Sequence, residues 1–145
     1  MKKIMNVGKR IRSLRLFRNM TQKELGDKLG YNSSPTIRIA QYETGQRTPQ
    51  KEAIKNFANA LDVSFDAIDV PTIEDPSKLM HTLFAMEEFF ELKIKEIEHY
   101  AYLTFECEEI QELLSEWLIK YKAYQNGDIS DYEYKEWKYK LYQKE

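Results

Sequence analysis

Residues 33–45 read SSPTIRIAQYETG, and the fold turns on how this stretch is understood. Ser34 suits a helix N-cap, and Pro35 suits the first helical position, where a missing N–H costs nothing. From there Pro35, Ile39 and Tyr42 recur at i, i+4 and i+7 and face inward. Thr36, Ile37, Arg38 and Gln41 are left on the outer side, a mixture of hydrogen-bonding groups and one aliphatic. TGQRTP then breaks the chain at Gly45 and Pro49. The stretch predicts a short helix whose outer face is equipped to touch something.

The neighbouring segments have the same scale. Val7 to Arg18 predicts an amphipathic helix with Ile11, Leu14 and Arg15 on one face. Lys9, Arg10, Arg12 and Arg18 spread around the remainder as solvated basic residues. In NMTQKELGDKLG, residues 19–30, Thr21 and Glu24 form a capping box. Leu25 and Leu29 are its buried pair, and Gly30 ends the helix where positive φ is needed. A fourth helix from Gln50 to Leu61 should bury Ile54, Phe57, Ala58 and Leu61. DVSFDAI, residues 62–68, should close the unit with a fifth short helix capped by Ser64.

Charge separates this half from the rest. Residues 1–70 hold 13 Lys and Arg against 7 Asp and Glu, whereas residues 71–145 hold 9 against 17. A basic half points to a polyanionic partner, and an acidic half to a different task. The single cysteine, Cys107, excludes a disulfide framework and a Cys-rich zinc site. No apolar run approaches membrane-spanning length and no signal-peptide pattern follows Met1, so a cytoplasmic protein without a membrane partner is expected.

Two short helices joined by a tight turn inside a basic five-helix unit make a helix-turn-helix arrangement. The ordered set GKRIRSLR, MTQKELGDKLG, IAQYETGQRTP and FANALDVSFDAI resembles the lambda-repressor-like, or XRE, family of DNA-binding domains over residues 6 to about 70. The resemblance implies that the third helix lies in the DNA major groove. It assigns Thr36, Ile37 and Gln41 to base-facing positions, with Arg38 beside them. Gln41 can pair with adenine, Arg38 with guanine or a phosphate, and Ile37 can cover a thymine methyl. It also implies that Gln22, Gln46, Arg47 and Thr48 hold the phosphate backbone. Arg15 matches an internal residue paired with the glutamate of the third helix, here Glu43, and is read as structural. The chain departs from the family twice. Gly26 stands where alanine is usual, and the interval from Gly30 to Tyr42 is longer. The excess is assigned to Tyr31–Ser33 as a longer turn; the alternative is an extra helical turn that re-aims Thr36.

The acidic half is read as a separate module. VPTIEDPSK holds two prolines and marks a boundary, giving a DNA-binding domain over 1–70, a linker over 71–76 and a module over 77–145. Asp75 and Pro76 start a helix carrying Leu79, Leu83, Met86 and Phe90. From Leu92, a 3.5-residue spacing through Ile94, Ile97 and Ala101 predicts one long helix. Alternatively, a two-residue turn at Glu98-His99 pairs Ile97 with Tyr100, Ile94 with Leu103 and Leu92 with Phe105. That hairpin places every aliphatic except Ile97 on one face. Beyond it Ile110, Leu113, Leu114, Trp117, Tyr121 and Tyr124 trace a helical stripe. Ser130 and Glu133 form a second capping box before a last helix with Tyr134, Trp137 and Leu141. The fold class expected is mainly α: a five-helix lambda-repressor-like domain, then a small α+β module of helix, β-hairpin and two helices.

Enzymatic function is not expected. Neither a His-Glu-x-x-His motif, a phosphate-cradling glycine loop nor a Ser/His/Asp pattern is present, and His81, His99 and Cys107 are read as ordinary residues rather than zinc ligands. No metal or cofactor is expected. The expectation is a sequence-specific DNA-binding transcriptional regulator, of the repressor type, acting on double-stranded DNA with two-fold symmetry. Residues 77–145, which hold both tryptophans and eight of the ten tyrosines, would make the homodimer or take a protein or small-molecule effector. The competing expectation is an antitoxin-like protein whose acidic module binds a partner.

Overall fold

Eleven residues after Asn6 coil into α1 (Val7–Phe17), which Asn6 starts by accepting the Lys9 N–H on its side chain. The structure, a computed structural model, describes residues 6–143. Thr21 caps α2 (Gln22–Lys28) with both halves of the capping box formed. Next come α3 (Pro35–Glu43) and α4 (Lys51–Leu61). The expected fifth helix is a single 3-10 turn, Phe65–Ala67, in which the Ser64 hydroxyl accepts the Ala67 N–H.

The apolar stripes of these elements meet in one core. Ile11 and Leu14 of α1, Leu25 of α2, Ile39 of α3, and Phe57 and Leu61 of α4 are all essentially inaccessible, with Ile68 closing the end. Two close approaches set the helix spacing. A side chain at Gly8 would place its Cβ 2.3 Å from the Tyr42 carbonyl oxygen, and one at Gly26 would lie 2.6 Å from Pro35 Cβ and 2.9 Å from Pro35 Cα. Glycine at 26 therefore has a local cause: Pro35 occupies the space an alanine methyl would need.

The turn before α3 differs from its expected chemistry. Residues 30–34 are not helical, so the extra length sits in the turn and α3 begins at Pro35. Ser34 holds the N-cap position but with φ 51° and ψ 49°, and its side chain makes no capping bond. Proline restricts its predecessor, and here the chain enters the helix through a left-handed residue instead of an extended one.

The C-terminal half contains α5 (Pro76–Phe90), β1 (Leu92–Ile97), β2 (Tyr100–Phe105), α6 (Glu108–Gln125) and α7 (Asp131–Lys140). The hairpin forms and the long helix does not. Its register pairs Leu92 with Phe105, Ile94 with Leu103 and Ile97 with Tyr100. Glu98 and His99 make the turn at φ 49° and 68°, the left-handed pair that a two-residue hairpin of native twist requires. Both capping groups predicted for this half are made: Asp75 accepts the Lys78 N–H, and Ser130 and Glu133 cap each other.

Contacts divide the chain into two units, one of residues up to 73 together with 136 onward, the other of residues 74–135. This differs from the sequence boundaries, which assigned all of 77–145 to one module. The difference has a physical source in the end of α7. Glu136 accepts from Arg18 at 2.6 Å, and the Tyr139 carbonyl accepts the Ser64 N–H at 2.8 Å. The Tyr139 ring meets Phe17 edge-on at 5.1 Å and lies under the Arg10 guanidinium, and Lys140 pairs with Asp62 at 2.8 Å. Leu141, expected on the face of the last helix, lies just past its end.

Within 74–135 the predicted stripes exist but bury little. Neither α5 nor α6 has a buried residue, and Leu92 and Tyr134 are the buried apolar residues described there.

Candidate nucleic-acid interface

Glu43, at the last turn of α3, holds three helices together. The Arg15 guanidinium donates from Nε to Oε1 at 2.6 Å and from Nη2 to Oε2 at 3.1 Å. Its Nη1 reaches the Met20 carbonyl at 2.7 Å. Gln22 of α2 donates its side-chain amide to Glu43 Oε2 at 2.9 Å. Both charged side chains are almost fully covered. A planar fork on a carboxylate fixes orientation as well as distance, so α1, α2 and α3 are set in angle by one acidic residue. Gln22, assigned to a phosphate by resemblance, is thus engaged inside the domain in this structure.

Above that anchor the outer face of α3 is open. Thr36, Ile37 and Arg38 are exposed, Ile37 by 59%, and Gln41 is half-buried one turn further on. With Leu16 of α1, Ile37 is one of two large aliphatics that this domain leaves exposed among its described residues, and it stands on the outer side of α3. Arg38 is placed rather than free: its guanidinium lies 4.5 Å above the Tyr31 ring. Such stacking leaves the planar edge of the guanidinium available to an acceptor.

Tyr31 is the residue that sequence reasoning missed, having been counted only as part of a longer turn. Its phenol pKa is raised, first by burial, then by the neighbouring Tyr42 hydroxyl and the hydrogen bond between them. Arg38 and Arg47 pull it the other way. The signal available in the sequence was an aromatic directly after Gly30, four residues before a helix bearing arginine on its open side.

Gln46, Arg47 and Thr48 follow α3 on an exposed loop. The loop is returned to the helix by the Arg47 N–H donating to the Gln41 carbonyl at 3.0 Å, and Gly45 makes the reversal at φ 81°. Pro49 is buried and pins its far end. The three side chains therefore leave a fixed backbone beside the open face of α3.

The basic residues of α1 do not all share this surface. Arg10 donates twice to the Ala67 carbonyl, and Arg18 donates to the Leu61 and Asp62 carbonyls as well as to Glu136. The expectation that Arg10 and Arg18 are merely solvated is corrected: both tie helix ends to the body of the unit. Arg12 is exposed. Among the described residues no cluster of three or more His, Cys, Asp or Glu could hold a metal ion, and no helix is long and apolar enough to cross a membrane.

No curated protein and no solved structure matches the chain. The family model HTH_3, described as helix-turn-helix, matches residues 11–68, a segment that runs from the first core residue of α1 to Ile68. The match supports a DNA-binding, XRE-like helix-turn-helix in that part of the chain, ahead of a module with no assigned family.

Proposed function

We propose that the protein is a cytoplasmic, sequence-specific transcriptional regulator, a repressor that binds a two-fold related operator as a dimer through residues 77–145. The observation that carries this reading is the open face of α3, where exposed Ile37 stands beside an Arg38 pre-positioned on Tyr31. Thr36, Ile37, Arg38 and Gln41 read bases, with Ile37 suited to a thymine methyl and Gln41 to adenine. Gln46, Arg47 and Thr48 hold phosphates and set register, and Gln22 can add only the amide hydrogen that Glu43 does not take. Arg15 and Glu43 position the reading helix without touching DNA. Nothing in this role calls on catalysis or a cofactor.

Selection of duplexes from a random pool by the purified protein tests the reading, with an inverted repeat as the expected product. On the selected site, Gln41→Ala should relax preference at particular base pairs by about 1–3 kcal/mol each. Arg47→Ala should weaken binding to every sequence alike. Recovery of no sequence preference, or one selectivity profile for both variants, would remove the assignment.

A second reading has its own observation. Leu114, Trp117, Leu118, Tyr121 and Tyr134 line an open apolar groove of about 390 Å³ on α6 and α7. An apolar effector or a partner's side chain fits such a groove, which is the arrangement an antitoxin-like or effector-bound regulator needs. Co-purification of a defined partner lost on Leu118→Glu would favour it.

A further inference from the structure

Residues 74–135 hold 6 lysines against 15 aspartates and glutamates, a density of charge that suits solvated surface. The two longest stretches of this unit without any Lys, Arg, Asp or Glu are 79–86 and 99–105. The first is the middle of α5 and the second is β2 with the residue before it. Within these charge-free stretches Leu79, Met80, Phe84, Tyr100, Tyr102 and Leu103 are all exposed. On α5, Met80 and Phe84 are about half exposed, Phe89 is 76% exposed, and Phe90 is half exposed. A helix apolar over most of its circumference belongs in an interior, yet α5 has no buried residue.

The area involved matches an interface between proteins. At roughly 200 Å² for a whole large apolar side chain, the exposed parts of Leu79, Met80, Phe84 and Phe90, which fall within about 140° of one another round the helix, amount to about 400 Å². Ile94, at 71%, and Leu103, at 50%, lie on the hairpin face on which Leu92 is buried, and bring the total to about 600 Å². A monomer rarely exposes more than a few hundred Å² in one patch. Each partner in a standard interface contributes about 600–1,000 Å². Depletion of charge with enrichment of Phe, Met and Tyr is also the composition of an interface core.

We infer that a second copy of this chain covers α5 and the Ile94–Leu103 hairpin face, so that two copies pair about a two-fold axis through the middle of α5. A surface of this size must be covered whenever the protein is present, and its own copy is the one partner always present in equal amount. A closed two-fold pair also buries the same patch on both molecules and leaves none over. The inference rests on the dimeric part of the reading above and not on which DNA is bound.

Sedimentation of the full chain at tens of micromolar, without DNA, tests it. The wild type should have twice the monomer mass. Met80→Glu with Phe84→Glu should halve that mass while the helical circular dichroism and binding to a half-site duplex persist. Leu118→Glu, on the α6 groove, should remain dimeric. A monomeric wild type would overturn both this inference and the dimeric reading. A folded Met80→Glu, Phe84→Glu protein that stays dimeric, or dissociation by Leu118→Glu alone, would overturn the inference and leave the dimer standing. If the double variant unfolds, single cysteines serve instead. Met80→Cys or Phe84→Cys, each on Cys107→Ser, should form a disulfide between copies on oxidation, because residues near a two-fold axis approach their own counterparts. Absence of a link from both positions would overturn the placement.

Discussion

At Gly26 a single missing methyl group decides how closely α2 and α3 approach. Alanine there would gain about 1 kcal/mol of helix propensity. Its Cβ would press within 3 Å of Pro35 Cβ and of backbone atoms that cannot swing away. Overpacking of this kind costs about 1–3 kcal/mol. Gly26→Ala should therefore lower stability to denaturant and tilt α3 enough to weaken operator binding; a variant more stable than wild type would show that the helices can part freely. Arg15→Ala removes the other constraint on α3. It leaves the buried Glu43 carboxylate with only the Gln22 amide, and breaking such a pair costs about 3–5 kcal/mol. That is a large share of a small domain's stability, so the melting temperature should fall by many degrees. The pairing of Arg15 with Glu43 was legible because the resemblance named both positions. The need for glycine at 26 was not, because it depends on where Pro35 comes to rest after the turn. Arg10 and Arg18 misled for a related reason: a basic residue beyond the apolar stripe looks solvated until the carbonyl it reaches, 57 or 43 residues away, is in place.

Among the elements, the end of α7 behaves least like its sequence. Its capping box and periodicity announced a helix, and nothing in them announced that residues 136–143 would pack on α1 and the 3-10 turn. Charge supports that packing over a defined range of pH. Asp62 is held below the usual carboxylate range by hydrogen bonds from Lys140 and Gln143. Burial raises Glu136, but its hydrogen bonds to Arg18 and Lys140 outweigh this and the net shift is downward. Lys140 is raised by its bonds to Asp62 and Glu136. A carboxylate lowered on folding stabilises above its unfolded pKa, and that stability is lost as pH falls through the folded value. A raised lysine stabilises below its unfolded pKa and loses this as pH rises through the folded value. The segment should hold best from the upper end of the carboxylate range to the ordinary lysine value of 10.5 and loosen on acidification. The Ser64 amide, bonded to the Tyr139 carbonyl, is the reporter. Its protection from hydrogen exchange should drop at acid pH more than that of core amides. A chain ended at residue 135 leaves that buried donor unpaired and should cost the first unit about 1–3 kcal/mol. Unchanged Ser64 protection after truncation would mean that the segment contributes nothing there.

Over the whole molecule, the basic balance of residues 1–70 overstates what DNA meets. Arg15 is neutralised internally, Arg10 and Arg18 are spent on carbonyls and Glu136, and Lys23 pairs with Asp27 at 2.7 Å. Arg38 and Arg47 remain exposed, with Gln46 and Thr48 beside Arg47 as exposed neutral donors. Log affinity should fall linearly with log salt, by about 0.9 for each phosphate neutralised. The slope per head should be that of a few phosphates and well below one for every basic residue. Arg47→Ala should reduce it by about one such unit, and a salt-independent affinity would exclude phosphate contact. The same comparison explains why the second unit was legible in its elements and not in its packing. Capping residues, the Glu98-His99 turn and the stripes of α5 and α6 are local, and they formed where the sequence placed them. Burial needs an opposing surface, and for α5 its own unit supplies little.

The return of residues 136–143 to the first unit also has a temporal consequence. Ribosomes make the helix-turn-helix segment first, and segments generally fold as they emerge. Here Ser64 and Phe17 must wait for Tyr139, which is synthesised only after all of residues 74–135. A nascent chain therefore holds a reading helix before it holds a finished domain. Products of early termination or of proteolysis near Asp128 would carry α3 intact on a loosened support, and would be removed more readily than the full-length chain.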